Sequence, residues 1–205
     1  MSNKVTPKFV TSDWHIGHKA VLELDNRPFH TLREMHRHLI NNYNSTVPEN
    51  GICYFLGDVG LCSGTILKEV VAQLHGKKVL ILGNHDHGSQ KFLDMGFDLV
   101  LYGAMLHVAK QIVTLSHCPL RGIKREDITG MKGAKDGEMW HGESRHGKYS
   151  FPDFGQYHLH GHIHSPNGGK STKIQGKQFD VGVVANKYKP VNFSVIEAWI
   201  VGDRK

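Results

Sequence analysis

The chain has 205 residues, which suits one domain, because domains commonly run from about 50 to 250 residues. Hydrophobic residues make up 39% and charged residues 21%, a balance that argues against disorder. No apolar run approaches the ~20 residues that a membrane-spanning helix needs, and residues 1–7 lack the apolar run of a secretory signal. The sequence therefore predicts a single soluble domain over residues 1–205 that does not enter a membrane.

Charge and cysteine content indicate the kind of partner and the redox compartment. Lys and Arg number 25 against 19 Asp and Glu, so the formal net charge is +6, which favours anionic partners without requiring nucleic acid. The three cysteines are an odd number without C-x-x-C spacing, which argues against a disulfide framework and favours a reducing, cytoplasmic compartment. Histidine is unusually frequent at 16 residues, and histidine is a common metal ligand and acid–base group.

Strand and helix patterns alternate in the first half of the chain. Short apolar strands are predicted at 9–12, 52–56 and 79–82. Between the first two, Thr31 has capping-box spacing to Glu34 and begins an amphipathic helix. A second helix is predicted to end at Gly76 and a third, short one at Gly96. Such alternation predicts a mostly parallel sheet that is covered by helices.

The second half is predicted to be richer in strands. The strand candidates are 99–102, 112–116, 157–160 and 179–183. A C-terminal helix follows, with Ser194 as its predicted N-cap. Residues 121–155, rich in Gly, basic and aromatic side chains, are predicted to be an inserted surface loop. That loop either recognises substrate or is simply solvated, and both interpretations stay open.

Five polar fragments each follow a predicted strand. They are Asp13-Trp14-His15, Gly57-Asp58, Gly83-Asn84-His85-Asp86, Ser116-His117-Cys118-Pro119 and Gly161-His162-Ile163-His164. In open α/β sheets, loops at the carboxyl ends of separate strands converge on one site. Because side chains in a strand alternate with a period of two, the two side chains of Asp13-x-His15 are expected to point to the same side, as are those of His162-x-His164.

The ligand types in these fragments indicate a metal site. Carboxylate, amide oxygen and imidazole, without thiolate, suit Mn²⁺, Fe or Zn²⁺ better than a soft metal. The groups suffice for two ions if one carboxylate bridges them. Two ions about 3.5–4 Å apart are the usual device for phosphate ester hydrolysis, because they clamp the phosphoryl oxygens and lower the pKa of a bound water that attacks.

The ordered set Asp-x-His, Gly-Asp, Gly-Asn-His-Asp, His and Gly-His-x-His resembles the calcineurin-like metallophosphoesterase superfamily. The resemblance is strongest to small bacterial and phage members that carry Asn26-Arg27-Pro28-Phe29 after the first motif. It implies a four-layer α/β/β/α sandwich of two mixed β-sheets flanked by helices. It also implies two divalent ions, with Mn²⁺ favoured and Fe, Zn²⁺ or Ni²⁺ as alternatives.

The resemblance implies a role for each motif residue. The first ion would be bound by Asp13, His15, Asp58 and His164, and the second by Asp58, Asn84, His117 and His162. In such enzymes the residue at His85 points at the leaving-group oxygen, as an acid or as a transition-state stabiliser, and Asp86 can orient it, so both are predicted to be catalytic. His18, Arg27 and Asn84 are predicted to bind substrate, Arg27 through bidentate contacts with phosphate.

The function predicted is metal-dependent phosphate ester hydrolysis by a metal-bound hydroxide, with small phosphodiesters or nucleotides as favoured substrates. Protein substrates are disfavoured, because Gly57-Asp58-Val59-Gly60 lacks the Asp-Arg-Gly continuation of the protein serine/threonine phosphatases. One alternative is a phosphomonoesterase, and another is a non-catalytic module of this fold that binds nucleic acid or protein. Two further histidines, His36 and His38, are predicted to face solvent from the first helix.

Overall fold

The computed structural model describes residues 6–120, 147–165 and 177–203. Most of the loop predicted at 121–155 lies outside these residues. Its described end contains a short 3-10 turn at Gly147–Tyr149, where the Tyr149 side chain is buried. None of the helices in these three ranges combines the length and the apolar character that crossing a bilayer requires.

The first sheet carries the strand–helix alternation that the sequence predicts. It contains β1 (Lys8–Thr11), β2 (Ile52–Phe55), β3 (Lys77–Ile81), β4 (Leu99–Leu101) and β9 (Val191–Asn192). The strand order is β4-β3-β2-β1-β9, in which β1 to β4 are parallel and β9 runs antiparallel to β1. The prediction of a mostly parallel sheet is confirmed.

The second sheet is also mixed. It contains β5 (Ala104–Val108), β6 (Gln111–Leu115), β7 (Tyr157–His160) and β8 (Gln178–Asp180), in that order across the sheet. The β5–β6 pair is antiparallel, whereas β6–β7 and β7–β8 are parallel. The chain is therefore a mixed α/β protein with two mixed sheets.

The α-helices of the described ranges are α1 (Val21–Leu24), α2 (Leu32–Thr46), α3 (Gly64–Val71), α4 (Ser89–Asp94) and α5 (Phe193–Gly202). The predicted cap of α2 is confirmed, because the Glu34 amide donates to Thr31 Oγ1 at 3.1 Å. The predicted cap of α5 is wrong: Asn192 is the N-cap, and its side chain accepts from the Ser194 amide at 2.9 Å. Asn192 takes this position because the chain leaves β9 there.

Two apolar clusters cover the two faces of the first sheet. One joins sheet residues such as Phe55 and Leu80 to Leu39 of α2 and Leu67 of α3. The other contains side chains of both sheets, including Val10, Ile81, Leu115 and Leu159, together with Ile196 of α5. The two sheets therefore share an apolar interior, and the parallel strands of both can direct their ends to one edge.

Candidate metal centre

The seven predicted metal ligands all follow strands. Each lies within four residues of the C-terminal end of a strand: Asp13 and His15 after β1, Asp58 after β2, Asn84 after β3, His117 after β6, and His162 and His164 after β7. Backbone contacts join the loops, since the Asp13 amide donates to the Gly57 carbonyl at 3.1 Å. The Asp13 carboxylate in turn accepts the His162 amide at 3.0 Å, which connects the two sheets.

One group of ligand atoms gathers around His15. The Nε2 atoms of His15 and His164 are 3.2 Å apart, and His164 Nε2 is 3.5 Å from Asp13 Oδ1. Asp58 Oδ2 lies 3.7 Å from His15 Nε2. These are the four side chains predicted to bind the first ion.

A second group gathers around His117. Its Nε2 lies 2.8 Å from Asn84 Oδ1, 3.2 Å from His162 Nδ1 and 3.3 Å from Asp58 Oδ2. Asp58 Oδ2 therefore faces both groups, while Asp58 Oδ1 accepts the His85 amide at 2.9 Å. The structure brings together all the side chains predicted to bind the second ion.

The spacing of these atoms fits a metal ion. Ligands about 2.1 Å from one ion lie about 3.0–3.4 Å apart in octahedral or tetrahedral geometry. His117 Nδ1 donates to the Leu56 carbonyl at 2.7 Å, so a neutral His117 presents the unprotonated Nε2 to the oxygens of Asn84 and Asp58. Acceptors that face one another in this way need either a proton or a metal ion between them.

Electrostatics in the site favour positive charge. Burial opposes protonation of His117, but Asp58 and Asp13 outweigh it and raise its pKa to about 9. Burial likewise opposes protonation of His164, but Asp13 and Asp25 raise its pKa to about 10. For Asp13 itself, burial acts to raise the pKa, but the neighbouring histidines hold it well below its usual range. Without a metal, the carboxylates therefore favour the protonated forms of His117 and His164.

Five of the ligands have a left-handed backbone. The φ angles are 60° for Asp13, 52° for His15, 53° for Asp58, 70° for His162 and 47° for His164. A non-glycine residue in this region costs on the order of 1–3 kcal/mol, and such strain clusters at functional sites. These turns, rather than the expected period-two strand alternation, aim the paired side chains of Asp13-x-His15 and His162-x-His164 into the site.

Glycine is required where the two sheets meet. A Cβ on Gly161 would lie 2.1 Å from Ser12 Oγ and 2.3 Å from Asp13 Oδ2. The loop after β7 can approach the loop after β1 only because residue 161 has no side chain. Gly161 thus brings His162 and His164 within reach of Asp13.

His85 stands at the solvent side of the cluster. Its side chain is 43% exposed, against 3% for Asp58, and its Nε2 lies 3.9 Å from Asp58 Oδ2. The ring of His18 lies beside His15, with centroids 5.4 Å apart, and burial lowers the pKa of His18. Both side chains lie beside the candidate ligands, and their predicted roles toward a substrate stay predictions.

Cys118 adds a thiol near the second group. A potential ligand atom of Cys118 lies within 4.8 Å of those of His117 and His162. The side chain is buried among apolar residues, and burial raises the pKa of the thiol to about 12. The thiol therefore stays protonated in the absence of a metal.

Asp86 differs from its predicted role. Its carboxylate accepts three backbone N–H groups, those of Asp58, Gly83 and Val59, at 2.8, 2.9 and 3.2 Å. The side chain is buried, and these contacts join the loops after β2 and β3. Asp86 thus positions the backbone that carries Asp58 and does not orient the His85 ring.

Arg27 also differs from its predicted role, because its guanidinium is buried rather than open to a phosphate. Its Nε and Nη2 donate to Asp25 Oδ2 at 3.0 and 2.8 Å. Nη2 also donates to the Asp13 carbonyl at 2.9 Å, and Nη1 donates to the Trp14 carbonyl at 3.0 Å and to Met35 Sδ at 3.5 Å. All five donors are engaged. Arg27 therefore holds the loop after β1 in place.

Asp25 is a residue that sequence reasoning missed. Its carboxylate lies 2.8 Å from His164 Nδ1 and accepts that N–H, which leaves Nε2 of a neutral His164 directed at the ligand group. Carboxylates of this kind orient metal-binding imidazoles. The sequence signal that could have found it is its position directly before the Asn26-Arg27-Pro28-Phe29 motif.

His36 corrects another expectation. The side chain, predicted to face solvent, is half-buried, and its Nε2 accepts the Gly17 amide at 3.0 Å. His38 is exposed, as predicted. The difference arises because the loop after β1 folds back over α2 at Gly17.

Comparisons with known proteins identify sequence relatives of the chain. No family model matches the chain. The gene 66 proteins of Mycobacterium phages L5 and D29 are 30% and 29% identical over 196 and 180 residues, covering 85% of this chain and 85% and 86% of those proteins. An uncharacterized protein of Methanocaldococcus jannaschii, MJ1445, is 40% identical over 86 residues, which are 41% of this chain and 49% of that protein.

A solved structure shares the fold. The crystal structure of the protein of unknown function AQ665 from Aquifex aeolicus superposes with a TM-score of 0.67 at 21% identity, over 95% of this chain and 100% of that one. Fold and site together define a mixed α/β protein with a buried His/Asp cluster that could hold metal ions. The chain belongs to the family of the gene 66 protein of Mycobacterium phage L5.

Proposed function

We propose that the chain is a dinuclear metal-dependent phosphoesterase of the calcineurin-like superfamily. The observation that carries the proposal is the position of Asp58 Oδ2, 3.7 Å from His15 Nε2 and 3.3 Å from His117 Nε2, between two groups of ligand atoms. The fold proposed with it is the four-layer α/β/β/α sandwich. The shared apolar interior of the two mixed sheets and the helices packed on the first sheet support this fold.

Two divalent ions would be held by the two groups, with Mn²⁺ proposed and Fe, Zn²⁺ or Ni²⁺ as alternatives. Such ions polarise phosphoryl oxygens and make a water acidic enough to attack at neutral pH. Asp58 would contribute to both, and Asp25 would hold the imidazole of His164 in the ligating tautomer.

Side chains around the metal ligands would act on the leaving group of the ester and bind the substrate. His85, exposed beside Asp58, would give a proton or a hydrogen bond to the leaving oxygen. His18, whose ring lies beside His15, and Asn84, next to His117, would contact the substrate. Small phosphodiesters or nucleotides are the proposed substrates, with phosphomonoesters as the alternative within the same chemistry.

The test is a metal and activity analysis of the purified chain. After chelation and reloading with Mn²⁺, we expect two ions per chain and turnover of an aryl phosphodiester, an aryl phosphomonoester or members of a nucleotide panel. Asp58→Asn should lose both ions and the activity together, because one oxygen faces both groups. Asp94→Asn, the same change at an exposed aspartate that bonds Gln90, is the matched control and should retain both ions and the activity.

Two results would contradict the proposal. Full occupancy by two metals in Asp58→Asn would exclude the shared carboxylate. Two bound metals in the unmodified chain without turnover of any ester would favour the non-catalytic binding module instead.

A further inference from the structure

A groove of about 630 Å³ opens between α2 and α3. None of the seven predicted metal ligands lines it, although Gly17, two residues after His15, borders one end. Its volume falls within the range of about 300–1,000 Å³ that is usual for small-molecule sites. Apolar side chains form much of its lining: Leu32, Ile40, Cys62, Ile66 and Val70.

Two unpaired positive charges border the groove. Arg33 and Arg37 lie one turn apart on α2, so they share a face and repel each other. Within the three described ranges neither forms an ion pair, in contrast to Arg27, which is paired with Asp25. Glu69 on α3 also borders the groove but pairs with neither arginine. A bound anion would relieve the repulsion.

The groove is also connected to the candidate metal centre. His36, between the two arginines on α2, contributes to the lining, and its Nε2 accepts the Gly17 amide at 3.0 Å. Gly17 belongs to the loop that carries His15 and His18. A molecule in the groove would therefore rest against a side chain that supports this loop.

We propose that the groove binds a small organic phosphate, with the phosphate on Arg33 and Arg37 and an apolar or aromatic portion against Ile40 and Ile66. Guanidinium groups match phosphate oxygens bidentately, and the apolar lining favours a ligand with a ring over a bare anion. The site goes beyond the proposed phosphoesterase activity, because it contains no metal ligand.

The test measures binding to metal-free protein, so that failure of the proposed hydrolysis cannot affect it. The probe is a mant-labelled ADP, titrated by fluorescence anisotropy in the presence of a chelator. We expect saturable binding that weakens as salt rises, and at least tenfold weaker binding of inorganic phosphate in competition. Arg33→Gln with Arg37→Gln should reduce affinity at least tenfold.

A second variant and a control separate the groove from the rest of the surface. Ile66 is 42% exposed, so Ile66→Asp should leave the fold intact while placing a negative charge in the groove, and binding should fall at least tenfold. Lys68→Gln removes a charge from the same helix outside the groove and should change affinity less than twofold. Affinity unchanged in the arginine or Ile66 variants, equal binding of inorganic phosphate, or preference for an acidic peptide would each overturn the proposal.

Discussion

At the residue scale, the candidate centre separates side chains that would bind metal from one that would act on the substrate. The His85 backbone amide donates to Asp58 Oδ1, whereas the His85 side chain is 43% exposed. At this position the ring would be able to contact the leaving group of a bound ester. The proposed division of labour can therefore be tested one residue at a time.

We predict that His85→Ala keeps its metal content and KM near those of the unmodified chain while kcat falls about 10²–10⁴-fold, the usual contribution of general acid catalysis. The loss should be smaller for a good aryl leaving group, which barely needs the proton, than for an alkyl ester. Steady-state kinetics on both ester types and elemental analysis measure this. Loss of metal in the variant would instead make His85 a ligand or a structural support.

We predict that Asp25→Asn lowers metal affinity about 10–100-fold, because the side chain that orients His164 loses its charge. The variant should also unfold more easily, since Arg27 would stay buried without its ionised partner. Metal titration and chemical denaturation measure the two effects. Asp153→Asn, at an exposed aspartate, should change neither, and an Asp25 variant with unchanged metal affinity would remove this residue from the site.

The identity of the candidate ligands could be predicted from sequence, whereas the supporting side chains could not. Asp13 and Asp58 follow neighbouring parallel strands of the first sheet, and strand ends in a parallel sheet converge, so their meeting is a consequence of topology. The roles of Arg27 and Asp86 depend on burial, which no local pattern records. An arginine that grips phosphate and one that grips backbone carbonyls look the same in a sequence.

At the scale of elements, segments with an apolar run or an apolar face were predictable, including the six-residue α4, whereas α1, β5 and β9 were not. The α2 helix has fifteen residues, a capping threonine and a clear apolar face, and it was found. The four-residue α1 has no side-chain cap, and β9 has two residues, too few for any periodicity. The edge strand β5 alternates between exposed and covered residues, with Met105 64% exposed, so it lacks the apolar run of its neighbours.

We predict that Thr31→Ala destabilises the protein by about 1 kcal/mol, because the Glu34 amide loses its acceptor. For a chain of this size the melting temperature should fall by about 2–4 °C. Thermal unfolding followed by circular dichroism measures it, with Thr31→Ser as the control that keeps the hydroxyl. Equal melting temperatures for the alanine variant and the unmodified chain would show that the cap contributes nothing.

At the scale of the whole molecule, the candidate centre ties the two sheets together and concentrates left-handed backbone and buried charge at one edge. A ligand that binds only the folded state stabilises it by mass action. Metal binding there should therefore be visible in global stability.

We predict that Mn²⁺ at about 100 times its dissociation constant adds about 2.7 kcal/mol to the free energy of unfolding, which corresponds to a rise of about 5–10 °C in melting temperature. Chelator should reverse the rise. The His85→Ala variant should show it and the Asp58→Asn variant should not. A melting temperature that is indifferent to every divalent ion tested would exclude a metal centre in the native state.

The pairing of β1 with both β2 and β9 has a consequence for how the molecule is made. Val10 lies beside Tyr54 on one side and beside Val191 on the other. A polypeptide emerging from the ribosome can join β1 to β2 early, but β9, the second neighbour of β1, begins 180 residues after β1 ends. Until then β1 is an open edge with unpaired amides, exposed to pairing with other chains. The first sheet is therefore complete only once β9 has paired with β1.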